Sequence, residues 1–127
     1  MIRLGVDIVL VSRLERALER WPRLADRVFT AGERMYAAER ARPSEHLAGR
    51  FAAKEAVFKA LGSGWPQVSW TDIEVVSNGG APKLKLSGRA RELAGAAQPA
   101  LTISHDGGMA IAAVVISDES ASTSVVT

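Results

Sequence analysis

Apolar and polar residues alternate along the first stretch of the chain, residues 2–8 (IRLGVDI). The even-numbered residues of this stretch are all apolar, whereas the odd-numbered residues are Arg3, Gly5 and Asp7. A period of two places successive side chains on opposite faces, which predicts a half-buried strand. An acidic residue inside such a strand is unfavourable without a partner, so Asp7 already stands out.

Three helices are predicted after this strand. The first begins at Ser12, where Ser12 and Glu15 have the spacing of a capping box. The second begins with another capping box, TAGE at residues 30–33. The third and longest begins at Ser44 and runs to Gly62, a glycine of the kind that ends helices.

The second half of the chain has the pattern of hairpins. Short strands are predicted at 72–77 and 83–86, around the turn NGGAP, then a helix at 89–97 and strands at 101–105 and 109–116 joined at DGG. The resulting order is β-α-α-α-β-β-α-β-β, which is typical of an α+β fold with helices packed on an antiparallel or mixed sheet. We expect a single domain over residues 1–117 and a disordered Ser/Thr-rich tail over 118–127.

The composition narrows the class of protein. With 127 residues, 47% hydrophobic and 24% charged, the chain matches an ordinary globular domain. It contains no cysteine, which excludes disulfides and thiolate metal sites. No signal peptide and no apolar stretch of ~18 residues is present, so we expect a cytoplasmic protein without a membrane span.

Charge is unevenly distributed between the two halves. Residues 1–60 contain 12 Lys and Arg against 8 Asp and Glu, a net +4, whereas residues 61–127 contain 4 against 6, a net −2. The first half therefore suits an acidic partner or a phosphorylated ligand, and we expect no nucleic-acid partner. The alternative is an ordinary solvated surface.

The segment FAAKEAVFKALG at 51–62 contains three charges in an otherwise apolar helix. At ~100° per residue, Glu55 and Lys59 lie one turn apart on a face of small residues that includes Ala52 and Gly62. This pair is either a surface i,i+4 ion pair or part of a binding site. On the same helical wheel Lys54 lies on a different face of the helix. Its side chain either extends along apolar neighbours or reaches a phosphate.

Two further residues are candidates for ligand binding. Asp7 and Glu55 together would supply the one or two carboxylates that Mg²⁺ usually takes. The alternative is that Asp7 pairs with Arg3 or caps the helix at Ser12. His105 ends a strand before a glycine turn, a position that often presents a side chain to a ligand, although a lone histidine is more often structural.

Three segments together resemble a known family. They are GVDIVLVSRLE at 5–15, LAGRFAAKEAVFKALG at 47–62 and LTISHDGGMAIAAVV at 101–115. Their order and spacing resemble holo-[acyl-carrier-protein] synthase, the small type of 4′-phosphopantetheinyl transferase, over about residues 1–117. The resemblance implies transfer of 4′-phosphopantetheine from coenzyme A to a serine of apo-acyl carrier protein, with release of adenosine 3′,5′-bisphosphate. It also implies Mg²⁺ and a homotrimer with active sites at the subunit interfaces.

The resemblance also implies roles for individual residues. Asp7 and Glu55 match the family's metal ligands, and Glu55 and Lys59 are the candidate catalytic residues. Lys59 and Gly62 match positions that contact coenzyme A phosphates, and His105 matches a histidine near the nucleotide. We add Lys54 as a candidate coenzyme A contact, since a lysine at this position could reach a phosphate.

The remaining expectations concern the docking of the carrier protein and the assembly of several copies of this chain. Arg13 matches an arginine of the carrier-protein docking helix, and Arg16 and Arg20 share its face at i+3 and i+7. The run MAIAAVVI at 109–116 lacks alternation, which predicts burial of both strand faces, as at a subunit interface. Two rival hypotheses are a coenzyme A or nucleotide-binding module without transferase activity and a structural oligomerisation domain.

Overall fold

The computed structural model describes residues 1–118. Its strands are β1 (Ile2–Leu10), β2 (Ile73–Val76), β3 (Lys83–Leu86), β4 (Ala100–Asp106) and β5 (Met109–Ser117), and its helices are α1 (Val11–Arg20), α2 (Leu24–Val28), α3 (Ala31–Ala38), α4 (Pro43–Leu61) and α5 (Gly88–Ala94). The predicted α+β order is confirmed, with α2 and a 3₁₀ turn at Trp70–Asp72 as additions. The predicted tail lies outside the described residues except for Asp118. No helix within 1–118 is long and apolar enough to cross a membrane.

The strands form two antiparallel sheets. The larger has the order β1-β5-β4, and the smaller is the β2-β3 hairpin. In the larger sheet Asp7 pairs with Ala112 of β5, which in turn pairs with Ile103 of β4. Strand β5, the last strand among residues 1–118, is therefore the central strand of this sheet and pairs with β1 along its length.

Helix α4 lies directly against β1 at Gly5. A Cβ atom added at Gly5 would lie 1.8 Å from the carbonyl oxygen of Ala56, so no other residue fits this crossing without moving the helix. Ala52, Ala53 and Ala56 of α4 are fully buried, and small side chains permit this close approach. The covered face of β1 is consequently the one that carries Gly5 and Asp7.

The opposite face of the larger sheet is apolar and exposed. We call it the apolar sheet face; its residues are Ile2, Leu4, Val6, Ile8, Leu10, Met109 and Ile111, with exposed fractions of 40% to 66%. The prediction of a half-buried strand is confirmed for β1, but its uncovered face is the continuous apolar one. Strand β5 alternates between buried and more accessible residues in the single chain, so burial of both of its faces at a subunit interface stays a prediction.

Helix ends follow some of the predicted signals. The capping box at Thr30 is confirmed, since Thr30 Oγ1 accepts from Glu33 N and Glu33 Oε1 accepts from Thr30 N. Gly62 ends α4 in the left-handed region at φ 70°, as predicted. The capping box at Ser12 is wrong, because α1 already begins at Val11 and no side chain caps it.

Candidate active site

The crossing of α4 over β1 brings Lys59 to Asp7. The ammonium group of Lys59 lies 3.0 Å from Asp7 Oδ1 and donates a second hydrogen bond to the Val6 carbonyl oxygen, also at 3.0 Å. The Lys59 side chain is 55% exposed, whereas Asp7 is 16% exposed. Both sequence alternatives for Asp7, a pair with Arg3 and a cap at Ser12, are wrong, because Arg3 bonds instead to Asp118 and to the end of α5.

Glu55 lies one turn before Lys59 and completes this group, which we call the acid–lysine cluster (Asp7, Glu55 and Lys59). Burial raises the pKa of the Glu55 carboxyl above its ordinary value, and the negative charge of Asp7 raises it further, while Lys59 opposes both effects. The two carboxylates therefore lie close enough to repel each other. With two acids and one base, the cluster has a net charge of −1 when fully ionised.

The donor set of the cluster suits Mg²⁺. Both acids offer hard carboxylate oxygens, and Mg²⁺ usually takes one or two carboxylates and completes its shell with water and phosphate oxygens. Among residues 1–118 no group of three or more histidine, aspartate or glutamate side chains is arranged to hold a metal. Asp7 and Glu55 thus fit an ion that is shared with a phosphorylated ligand better than one held by protein alone.

Gly62 lies at the end of α4, three residues after Lys59. Its backbone N–H bonds to the Lys59 carbonyl oxygen at 3.2 Å, and a Cβ added there would meet nothing within 4 Å. The glycine is required by its positive φ rather than by crowding. It leaves open space next to the acid–lysine cluster.

Lys54 does not belong to this cluster, and the prediction that it contacts coenzyme A is contradicted. The side chain is fully buried, and its ammonium group lies 2.8 Å from Glu33 Oε1. It donates its other hydrogens to the carbonyl oxygens of Trp70, at 3.0 Å, and of Ile73. Burial lowers the pKa of Lys54, and the charge of Glu33 opposes this shift.

Glu33 is satisfied as completely as its lysine partner. Besides Lys54, Glu33 accepts hydrogen bonds from Thr30 N and Val75 N, both at 2.9 Å. The buried pair therefore connects α3, α4 and β2 inside the core. A charge on an apolar helix has a structural role here, which the sequence does not distinguish from a ligand-binding one.

His105 lies at the opposite end of α4 from Lys59. Its Nε2 atom is 2.9 Å from the carbonyl oxygen of Glu45, in the first turn of α4, and its ring packs against Gly49. Gly49 and Lys59 are separated by about 15 Å along the helix axis at ~1.5 Å per residue. Within one chain, His105 is not part of the acid–lysine cluster.

Sequence reasoning missed a basic group around Tyr36. Arg50 is only 4% exposed, its guanidinium carbon lies 4.0 Å from the centroid of the Tyr36 ring, and its Nη2 bonds to Ser77 Oγ at 3.2 Å. Arg40 stacks on the same ring at 3.4 Å. Burial lowers the pKa of Arg50, and burial together with the Arg50 charge lowers that of His46. The available signal was Arg50 itself, a charge four residues before Lys54 in the same apolar helix.

The three predicted docking arginines lie on the exposed side of α1. Arg13, Arg16 and Arg20 are exposed, and within residues 1–118 no carboxylate lies within 4.0 Å of their side chains. Arg13 also lines an apolar cavity of about 270 Å³, whose walls include Leu14, Leu24, Phe29, Phe51 and Trp70. This part of the surface combines unpaired positive charge with an apolar depression.

A family model and two curated relatives place this chain in the same family. Residues 3–114 match the family model described as the 4′-phosphopantetheinyl transferase superfamily. The chain is 50% identical over 109 residues to the holo-[acyl-carrier-protein] synthase of Moorella thermoacetica, covering 83% of this chain and 85% of the relative. It is 49% identical over 119 residues to that of Salinispora arenicola, covering 91% and 97%.

The fold of this chain is also similar to solved structures of the same family. The Chronobacterium ammoniagenes ACPS-CoA complex superposes with a TM-score of 0.81 at 34% identity, covering 91% of this chain and 96% of that chain. The Helicobacter pylori holo-[acyl-carrier-protein] synthase in complex with coenzyme A gives 0.78 at 33% identity, covering 90% and 99%.

Proposed function

Because this chain belongs to the 4′-phosphopantetheinyl transferase superfamily and, within it, to the holo-[acyl-carrier-protein] synthases, we propose that it transfers 4′-phosphopantetheine from coenzyme A to apo-acyl carrier protein. The carrier serine oxygen forms a bond to the β-phosphorus, and the bond from that phosphorus to the bridging oxygen breaks. Adenosine 3′,5′-bisphosphate leaves, and the serine proton passes to a base. The observation that carries the proposal is the acid–lysine cluster beside the open end of α4.

The cluster supplies positioning and charge neutralisation, which dominate catalysis of phosphoryl-type transfer. Asp7 and Glu55 would hold Mg²⁺, which neutralises pyrophosphate charge when bound. Lys59 is largely exposed, and two of its three ammonium hydrogens are bonded to β1. Its third hydrogen is available to the leaving phosphate, and Gly62 leaves room for that phosphate at the end of the helix.

Glu55 is our candidate for the base. Its raised pKa makes its carboxylate a stronger proton acceptor than an ordinary glutamate. Asp7 is instead paired with Lys59, whose ammonium group lies 3.0 Å from Asp7 Oδ1. The raised pKa of Glu55 and the ion pair of Asp7 therefore both support Glu55 as the group that accepts the serine proton.

We also propose a homotrimer whose active sites lie between subunits. The apolar sheet face is exposed in the single chain, and contiguous apolar surfaces of this kind mark interaction sites. Its apolar side chains come from β1 and β5, and a second copy of this chain offers a matching surface. Since His105 is distant from Lys59 within one chain, the neighbouring copy would supply His105, together with the basic group around Tyr36, to each site.

The arginines of α1 support an acidic protein partner. Arg13, Arg16 and Arg20 are exposed without nearby carboxylates, and the apolar cavity beside Arg13 offers a seat for an apolar side chain. We propose that the carrier protein presents an acidic helix to this face. We further propose a cytoplasmic location, with which the absence of cysteine agrees.

The first experiment tests the activity itself. Apo-carrier protein is incubated with coenzyme A, Mg²⁺ and the purified chain, and its intact mass is measured. A gain of one phosphopantetheine is expected. Asp7→Asn and Glu55→Gln should each keep the fold by circular dichroism and lose most of the transfer. An unchanged carrier mass, with coenzyme A still bound, would identify a binding module instead.

The second experiment tests shared sites. Asp7→Asn and His105→Ala chains should each be weakly active alone, and they are then unfolded, mixed and refolded together. If each site uses Asp7 from one chain and His105 from another, mixed trimers regain activity because some sites receive both intact residues. Light scattering that shows a fully active 13.5 kDa monomer, or a mixture with no regained activity, contradicts the interfacial site.

A further inference from the structure

Helix α4 contains a glycine in its interior, at Gly49. Glycine is the least favoured residue inside a helix after proline, so a position of this kind usually has a packing or functional reason. The reason here is the space next to it. A Cβ added at Gly49 would lie 2.9 Å from His105 Nε2 and 3.0 Å from Ile103 Cγ2.

The ring of His105 uses this space to reach the first turn of α4. Its Nε2 atom lies 2.9 Å from the carbonyl oxygen of Glu45. A carbonyl oxygen only accepts hydrogen bonds, so Nε2 carries a hydrogen in this arrangement. The other ring nitrogen, Nδ1, remains for a ligand, and the ring is held in one orientation.

We propose that Gly49 is a positioning residue for coenzyme A binding, because the notch it leaves in α4 seats the His105 ring and fixes which nitrogen faces the ligand. The inference rests on the proposed role of His105 as a coenzyme A contact. It adds a residue that has no side chain to touch the ligand and that acts only through His105. Glycine at this position lowers the helix propensity of α4, and in return it permits the position of His105 that we propose for coenzyme A binding.

The test is Gly49→Ala, with Gly80→Ala as the matched control, since a Cβ at Gly80 meets nothing within 4 Å. In Gly49→Ala the ring must move off the Glu45 carbonyl, and the KM for coenzyme A should rise about fivefold, the equivalent of one net hydrogen bond. The KM for carrier protein should stay near that of wild type. Gly80→Ala should change none of these quantities. A wild-type coenzyme A KM for Gly49→Ala overturns the proposal.

A double-mutant cycle separates positioning from ordinary packing. In a His105→Ala background, Gly49→Ala should leave the coenzyme A KM unchanged, whereas a purely structural glycine would raise it again by the same factor. Ile103→Ala removes the other crowded atom. If the double variant Gly49→Ala/Ile103→Ala matches Ile103→Ala alone, the conflict is with Ile103 and the proposal fails.

Two readouts keep this inference distinct from the function it rests on. If His105→Ala leaves the coenzyme A KM unchanged, the proposed role of His105 fails and this inference falls with it. If His105→Ala raises that KM and Gly49→Ala does not, only the inference fails. Nitrogen-15 NMR of the wild-type protein gives a result that does not depend on any variant folding. The spectrum should show that Nε2 of His105 carries the ring hydrogen. A spectrum in which only Nδ1 carries it would overturn the proposal.

Discussion

Helix α4 carries two lysines, Lys54 and Lys59, five positions apart, in contrasting surroundings. Lys54 is fully buried, and its three hydrogens are bonded to a glutamate and two backbone carbonyls. Lys59 is 55% exposed, and its contact with Asp7 leaves one hydrogen available. The comparison shows that the same residue type on the same helix can have all of its donors satisfied inside the core or keep one donor open at the surface, where we propose that it contacts a ligand.

The strongest test of this contrast is Lys54→Met. Removing one member of a buried ion pair leaves the other charge uncompensated, so the free energy of unfolding should fall by ~3–5 kcal/mol. Urea denaturation followed by circular dichroism measures this loss. A variant as stable as wild type would show that Glu33 does not depend on Lys54.

A second substitution identifies the cause of that loss. Glu33→Gln in the Lys54→Met background removes the uncompensated charge and keeps one oxygen, which can accept from only one of the backbone N–H groups of Thr30 and Val75, because these groups bond to different oxygens of Glu33. Part of the lost stability should return. No recovery would attribute the loss to packing around residue 54.

Lys59→Met should have the opposite profile. Stability should change by less than about 1 kcal/mol, because a largely exposed ion pair contributes little. The value of kcat for transfer should fall about 100-fold, which is ~2.7 kcal/mol, a typical cost of removing one group that stabilises transition-state charge. Lys59→Arg, which keeps the charge, should lose less. Loss of stability without loss of rate would assign Lys59 the role we give to Lys54.

A smaller effect is expected at the exposed arginines of α1. Arg13→Glu should raise the KM for carrier protein about tenfold, or ~1.4 kcal/mol, and leave the KM for coenzyme A nearly unchanged. Raising salt from about 0.05 to 0.5 M should weaken wild-type docking more than docking of the variant, because screening acts on the charges that were removed. Lys83→Glu, the same charge change on the exposed side of β3, is the control and should affect neither KM. Equal salt sensitivity in Arg13→Glu and wild type would contradict the docking role.

The smallest effect concerns pH. The pKa of Glu55 is raised in the folded chain, so as pH rises above about 4.5, its ordinary value, the unfolded chain loses this proton first. Stability therefore falls with rising pH until the folded carboxyl has also ionised, and it then levels off. Glu55→Gln removes this contribution, so the stability difference between variant and wild type should grow through that window. A difference that stays constant with pH would contradict the raised pKa.

Local sequence signals predicted much of the fold. The TAGE capping box, the left-handed Gly62 and strand β3 at residues 83–86 are all confirmed. Each depends on residues close in sequence, whose backbone preferences act independently of the rest of the chain. The capping box at Ser12 failed because α1 continues directly from β1 and begins one residue earlier.

The covered face of β1 and the partner of Lys54 depend on tertiary contacts, which local sequence patterns do not predict. Periodicity grouped Asp7 with Gly5 on one face of β1, but only the contact of Gly5 with Ala56 reveals which face α4 covers. Likewise, helical periodicity predicted that Glu55 lies beside Lys59. The partner of Lys54, however, is Glu33, which is distant in sequence and lies outside that helical pattern. A residue's partner across the core leaves no trace in local spacing.

The pairing of β1 with β5 has a consequence for biosynthesis. Strand β1 is synthesised long before β5 at residues 109–117, which is its one sheet neighbour among residues 1–118. At ~5–20 residues per second, about 5–20 s pass between the synthesis of the two strands. During this interval a strand with an apolar face has no sheet partner, which exposes the nascent chain to aggregation. The larger sheet therefore cannot close until β5 has been synthesised, and we expect chaperones to capture β1 during this interval.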